Sequence, residues 1–345
     1  MNILFDDITL WIKKGGNYMK RFYYYFFFSV IIFNISALDV IEKIPSETRF
    51  FARFDLKTLR QNSFYMKLQD QNKEQLNFFS AIFALMSGIN IDDINLVYLL
   101  AKGQDDGFIL LDGNFHIDRI KQIVSMNKTN QVLNLENVIF AAEIPDNKNH
   151  DKKNLAVIID NNTILIGNHD RVVEFINVIN GKGTLMDEKR INVLKEEYLE
   201  PAIFHLSVIE LPSEMLENQV LKNFSAAELK ADLNDGLLIN IKIFMIDSQI
   251  AKATEQIING VVVYLKRVEL QEIMDETAKI LKNEILETIT AQSNGDEVLL
   301  KTKIKENALE RIIEIQRKKI QIPGATPAPS QEKKDNNDVF DTEKN

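Results

Sequence analysis

The stretch that decides the fold is Ala227-Glu228-Leu229-Lys230-Ala231-Asp232-Leu233-Asn234-Asp235-Gly236-Leu237-Leu238-Ile239-Asn240-Ile241-Lys242-Ile243-Phe244-Met245-Ile246. Asn234-Asp235-Gly236 tolerates positive φ, so the segment predicts a β-hairpin of 227–233 against 237–246. In the second run Leu238, Asn240, Lys242 and Phe244 alternate with Leu237, Ile239, Ile241, Ile243 and Met245, making one face the more apolar. Asp247 then stands where an N-cap belongs, before a helix that begins at Ser248 and carries Ile250, Ile257, Ile258 and Val261. The unit is a hairpin that hands over to a helix.

The unit recurs along the chain. Turn signals stand at 104–107, 160–162 and 293–295, with strands predicted at 155–159 against 163–166 and at 285–290 against 297–304. Asn114 is placed to cap a helix over 115–125, where Ile117, Ile120, Lys121 and Val124 trace a helical stripe. Asn168 or Asp170 opens another through Val173, Ile176 and Ile179, ended by Gly181. A last helix over 306–319 closes on Arg317-Lys318-Lys319, charges suited to a helix C-terminus.

Each half also opens alike. Pro45 precedes a strand at 49–54 and a helix at 56–68. Pro201 precedes a strand at 203–209, and Pro212 opens a short helix. The first half adds a helix near 75–87 and a strand near 138–142, the second a helix near 270–282. The expected class is α+β: two related halves, 38–199 and 200–322, of antiparallel sheet with helices packed on one face of each. Whether they share one sheet is open at this level.

The two ends read differently. Met19-Lys20-Arg21 is a basic start to an apolar run, 22–33, and Ile35-Ser36-Ala37 is a small-residue ending, so 19–37 reads as a signal peptide cleaved before Leu38. Asp6 and Asp7 misfit such a segment. Codons for Lys14-Gly15-Gly16 can spell a ribosome-binding site, so 1–18 reads as an upstream extension, with translation starting at Met19. The alternatives are an uncleaved anchor, since 22–38 sits at the lower edge of a bilayer span, and a buried core helix. With cleavage, no stable membrane span remains. Residues 323–345, rich in Pro, Asn and charge, read as a disordered tail.

The chain has no cysteine, which excludes disulfides, thiolate metal sites, cysteine nucleophiles and lipid attachment at an N-terminal Cys. Its formal charge is −9, and removal of 1–37 makes it more acidic, which argues against a nucleic-acid partner. His116, His150, His169 and His205 lie too far apart for a local metal motif and read as surface or core imidazoles. Gly181-Lys182-Gly183-Thr184 lacks the upstream glycine and follows a helix, so it reads as a helix cap rather than a phosphate loop. Asp232–Gly236 reads as a turn rather than a calcium loop, because a strand follows at once. Asp92-Asp93 and Asp105-Asp106 read as solvated pairs. No catalytic residue, cofactor or metal site is assigned.

The run from Ser248 to about Lys282 is apolar nearly all round at Val261-Val262-Val263-Tyr264-Leu265, with Val268, Leu270, Ile273 and Met274 beyond. It is expected to be sandwiched between the halves, the alternative being an exposed groove or dimer face.

Ile44–Leu59 forms a Pro, strand, Asp, helix opening. Gly88-Ile89-Asn90-Ile91-Asp92-Asp93-Ile94 precedes Leu111-Asp112-Gly113-Asn114-Phe115. Over 39–125 this pattern is similar to that of exported bacterial proteins of unknown function, with Asn90 where those proteins usually carry Asp. The resemblance implies no catalytic residue. The reading is therefore a non-enzymatic exported protein of the periplasm or envelope that binds a protein or other envelope component at the seam between its halves. The alternatives are a hydrolase with carboxylates gathered in that seam, and a small-molecule or lipid binder at 261–265.

Overall fold

The computed structural model describes residues 40–103, 106–145, 153–198, 202–211, 221–267 and 275–320. The signal segment, the extension before it, the tail, His150, the helix at Pro212 and residues 268–274 lie outside them.

Among the described residues twelve strands form a single antiparallel sheet: β1 (Phe50–Asp55), β2 (Ile94–Gly103), β3 (Asp106–Gly113), β4 (Gln131–Leu133), β5 (Phe140–Pro145), β6 (Lys153–Ile158), β7 (Thr163–Asn168), β8 (Phe204–Val208), β9 (Phe224–Leu233), β10 (Gly236–Met245), β11 (Thr290–Asn294) and β12 (Glu297–Lys305). Their order is β11-β12-β10-β9-β8-β1-β2-β3-β7-β6-β5-β4. The halves therefore share one sheet, joined where β1 pairs with β8, Phe50 against Val208 through Phe54 against Phe204. Outward from that join, β1-β2-β3-β7-β6 has its counterpart in β8-β9-β10-β12-β11. The repeat of element order along the chain is thus also a repeat of position in the sheet.

Among the described residues the helices are α1 (Leu56–Gln61), α2 (Ser63–Gln71), α3 (Lys73–Ser87), α4 (Ile117–Met126), α5 (His169–Ile179), α6 (Glu188–Tyr198), α7 (Ser248–Arg267), α8 (Glu276–Thr288) and α9 (Glu306–Ile320). The period-2 alternation of strands assigns the two faces. Phe51, Tyr98, Leu100, Phe108 and Leu165 share one face by register, and they pack with Val172 and Phe175 of α5 and Tyr198 of α6. On the opposite face Ala52, Phe204, Ala231, Leu237 and Ile304 pack with Phe64 of α2, Ile280 of α8 and Leu309 of α9. Val298 and Met245 pack there with Ala251 of α7. The helix-covered face thus switches at the β1–β8 join, with α2 of the first half crossing over to pack beside α8 and α9.

The deciding turn forms as its residues require. Asp235 has φ 52° and Gly236 φ 122°, and a Cβ on Gly236 would lie 2.3 Å from the Ile304 carbonyl oxygen. Asn168 caps α5 by accepting from the Asp170 and Arg171 amides, and Asp247 accepts from the Ile250 amide at 2.8 Å. Asn114, however, does not cap α4. Its amide donates to the Asp93 carbonyl at 2.8 Å and that of Phe115 to Asn161, which holds the chain extended until Ile117. The strand predicted at 285–290 is also displaced. Asp275 caps α8, and burial of Thr277, Ile280 and Leu286 carries the helix through Thr288, so β11 begins at Thr290. The helix predicted over 56–68 breaks at Asn62, whose side chain caps α2. Neither α6 nor β4 was anticipated.

Gly260 lies mid-helix in α7, and a Cβ there would meet nothing within 4 Å. Gly260→Ala is therefore expected to raise stability by about 1 kcal/mol, the usual Gly-to-Ala gain in an open helix interior. A urea midpoint no higher than that of the parent would refute it.

Candidate functional site

The β1–β8 join was the expected working groove, and it is filled. Arg53 and Asp55 lie side by side on β1 with 2% and 1% of their surface exposed. Arg53 Nη2 donates to Asp55 Oδ2 at 3.2 Å, and Nη1 lies 3.4 Å from the Tyr198 carbonyl. Asp55 Oδ1 accepts from the Thr58 amide at 2.8 Å, which caps α1. The Tyr198 hydroxyl donates to the Phe51 carbonyl at 3.3 Å and lies 3.4 Å from Ser207 Oγ. Its ring stacks on His205, centroids 4.5 Å apart. Burial raises the Asp55 carboxyl pKa more than the Thr58 hydrogen bond and Arg53 lower it. The Asp55 carboxylate at this seam is engaged by a cation and a helix cap.

The other flagged residues are accounted for locally. His205 is a core imidazole. His116 is the N-cap residue of α4 without a side-chain capping bond. His169 opens α5 with Nδ1 3.1 Å from Asp170 and Nε2 3.4 Å from Glu143. The Lys182 and Gly183 amides both donate to the Asn177 carbonyl, and Gly181 has φ 71°, so 181–184 is a helix end. Asp92 and Asp93 sit in a short 3₁₀ turn, and Asp106 holds Arg171 at 2.7 Å. A cavity of about 10 Å³ lies beside Glu47, Lys102 and Arg171, away from the seam. It has room for about one water at most. No group of three or more His, Asp or Glu side chains able to hold a metal occurs among the described residues.

Asp112, at the end of β3, is the carboxylate with the strongest resolved perturbation. Burial, with the charge of Asp160 added, pushes its pKa up to about 6. A carboxyl whose folded pKa is raised costs stability above that pKa and nothing below the ordinary value near 4. Asp112→Asn is expected to stabilise the protein by about 1 kcal/mol at pH 8, after allowing for solvent screening of a partly buried group. The gain should vanish by pH 4. Urea midpoints at the two pH values test this, and a gain equal at both would contradict it.

α7 is not sandwiched between the halves. It lies on β11 and β12 through Ala251, Ile250 and Ile258, while Ile257, Val261, Val263 and Tyr264 are exposed. The reason is its place in the sheet: β11 and β12 lie at the far edge, separated from the β1–β8 join by β10, β9 and β8, so the first half is out of reach of α7.

The larger anomaly is α3. It carries Leu76, Phe78, Phe79, Ile82, Phe83, Leu85 and Met86, yet none of its described side chains is buried. Phe78 is 63% exposed, Phe79 62%, Phe83 38% and Leu85 72%. The helix is held at its C-terminal end by small and polar groups. Ser80 Oγ lies 3.5 Å from Asn90 Oδ1, Arg119 Nη2 donates to the Ala84 carbonyl at 3.2 Å, and Gly88, with φ 78°, abuts the Ile120 backbone. At about 200 Å² per large side chain, those four residues expose roughly 500 Å², the upper end of what a monomer shows without using it. In the sequence this helix reads as an extra piece, and its exposure is not foreseen. The available signal was the absence of any charge from Gln75 to Ile91.

No protein-family model matches the chain, and no curated protein is significantly similar to it. A solved structure described as crystal form I of TP0453 is similar over 81% of this chain and 99% of that one, with 10% identity and a TM-score of 0.43. A likeness at that level carries no argument about function. Among the described residues, no helix is long and apolar enough to cross a membrane.

Proposed function

We propose that this chain is an exported protein of the bacterial envelope that works by binding rather than by catalysis, and that α3 is its binding surface. The observation that supports this reading is a helix of Phe, Leu, Ile and Met that the fold positions but does not bury. An apolar helix left outside the core exposes surface that water disfavours, and such surface marks an interaction site. Export is supported by the signal-like segment 19–37 and by the resemblance over 39–125. Arg53, Asp55 and Tyr198 fill the seam, which supports α3 rather than the groove between the halves as the binding surface. A photo-crosslinking residue at position 81 in intact cells tests the reading. Adducts from position 81 and none from position 294 in the β11–β12 turn are expected, and an uncrosslinked chain at both positions would defeat it. Sequencing the N-terminus of the exported chain should find Leu38, and an intact Met1 would remove the argument for export.

A further inference from the structure

We infer that the occupant of α3 is the interfacial layer of a lipid bilayer, an inference that rests on α3 being the binding surface. At 100° per residue, Leu85, Phe78, Ile82, Met86, Phe79 and Phe83 spread over an arc of about 160°. The opposite arc is Ser87, Ser80, Ala84 and Asn77, with Ala81 exposed at its margin about 40° from Leu85, and the contacts to the protein are made at Ser80 and Ala84. The usual amphipathic arrangement is thereby inverted, with the apolar arc outward. An arc that wide, exposed along the whole helix, suits immersion better than a fit to one flat partner.

Length and charge narrow the choice. Fifteen residues make a helix about 22 Å long, too short to span the roughly 30 Å hydrocarbon core but suited to lying in its interface. The seventeen residues from Gln75 to Ile91 carry no charge. Around them Lys57, Arg60, Lys67 and Lys73 are balanced by Asp70, Glu74, Asp92 and Asp93. That neutrality, within a chain of net charge −9, predicts attachment through apolar burial, with little dependence on anionic lipid or salt. A second copy of the chain is less well matched. Two such surfaces would bury about 1,000 Å² in total, the floor for a specific protein interface.

The absence of cysteine makes the test clean. Full-length protein carrying Ala81→Cys, labelled with an environment-sensitive fluorophore, is mixed with vesicles of phosphatidylcholine, alone or with phosphatidylglycerol. A matching label at Asn294→Cys reports on the rest of the molecule. The expected result is a blue shift and quenching by shallow spin-labelled lipid at position 81 only, similar with both lipids and in high salt. Phe78→Ser with Phe79→Ser, in the same labelled chain, should weaken that partition at least about tenfold. A label that stays in water with vesicles overturns the lipid assignment, as does a shift that follows protein concentration instead, which identifies a second copy. In either case, in-cell adducts at position 81 would leave the binding role of α3 standing. Loss of those adducts as well would remove both.

Discussion

Asp55→Ala will lower the stability of this protein by about 3–5 kcal/mol, the usual cost of removing one partner from a buried ion pair. Two losses combine. The Thr58 amide at the first turn of α1 loses its cap, typically worth about 1 kcal/mol. Arg53, 2% exposed on the neighbouring β1 position, keeps its charge and its approach to the Tyr198 carbonyl but loses its carboxylate. Asp55→Asn retains an oxygen for the cap while removing the countercharge, so it should cost less than Asp55→Ala. Arg53→Met combined with Asp55→Asn should recover part of the deficit, because a buried cation deprived of this carboxylate is no longer present. Urea unfolding of the four proteins is the measurement. A loss in the double variant as large as in Asp55→Ala would show that the charge pair itself, not an orphaned cation or the cap, holds this corner.

Phe51→Ala will cost a similar amount, about 3–5 kcal/mol, by leaving a cavity in a closed core. Phe51 is fully buried, with the Tyr98 ring 5.9 Å away and the Tyr198 ring 5.1 Å away. Those rings belong to β2 and α6, so the side chain ties the central strand to the helix that seals the seam. Its carbonyl also receives the Tyr198 hydroxyl. Phe51→Leu should cost much less, since it preserves most of the volume. A thermal midpoint for Phe51→Ala within a degree of the parent would mean that α6 is not seated on this face. Both variants should leave α3 and its binding unchanged at temperatures where they are folded.

The regular part of this fold was legible where local chemistry decides it. Asn234-Asp235-Gly236 admits few structures other than a turn, and Asn168 and Asp247 cap helices that the sequence pattern places beside them. Legibility failed where tertiary contacts outweigh local preference. The run Ile285-Leu286-Glu287-Thr288-Ile289-Thr290 has strand composition, yet a capped helix with a buried stripe claims its first four residues. Asn114 looks like a cap, but Asp93 and Asn161 hold the backbone around it extended, and neither is near in sequence. α6 is strongly polar over Glu188–Tyr198, and only the sparse stripe Ile191, Leu194 and Tyr198 is buried, so the tyrosine that completes the seam is hard to foresee. The candidate site was hidden for a different reason. An apolar helix is ordinarily read as core, and only the structure shows that the core has no place for α3.

The pairing of Phe50 with Val208 across β1 and β8 also sets the order in which the molecule can be made. Until β8 has been synthesised, the first half presents β1 as a raw edge, and Phe51 and Arg53 lack the helix and strand that enclose them. Closing that ladder requires a loop spanning nearly half the chain, which is a slow step for any polypeptide. In a cytosolic protein such a delay invites aggregation through the open edge. For a chain proposed to cross a membrane as an extended thread, it supplies the time in which the thread can still pass.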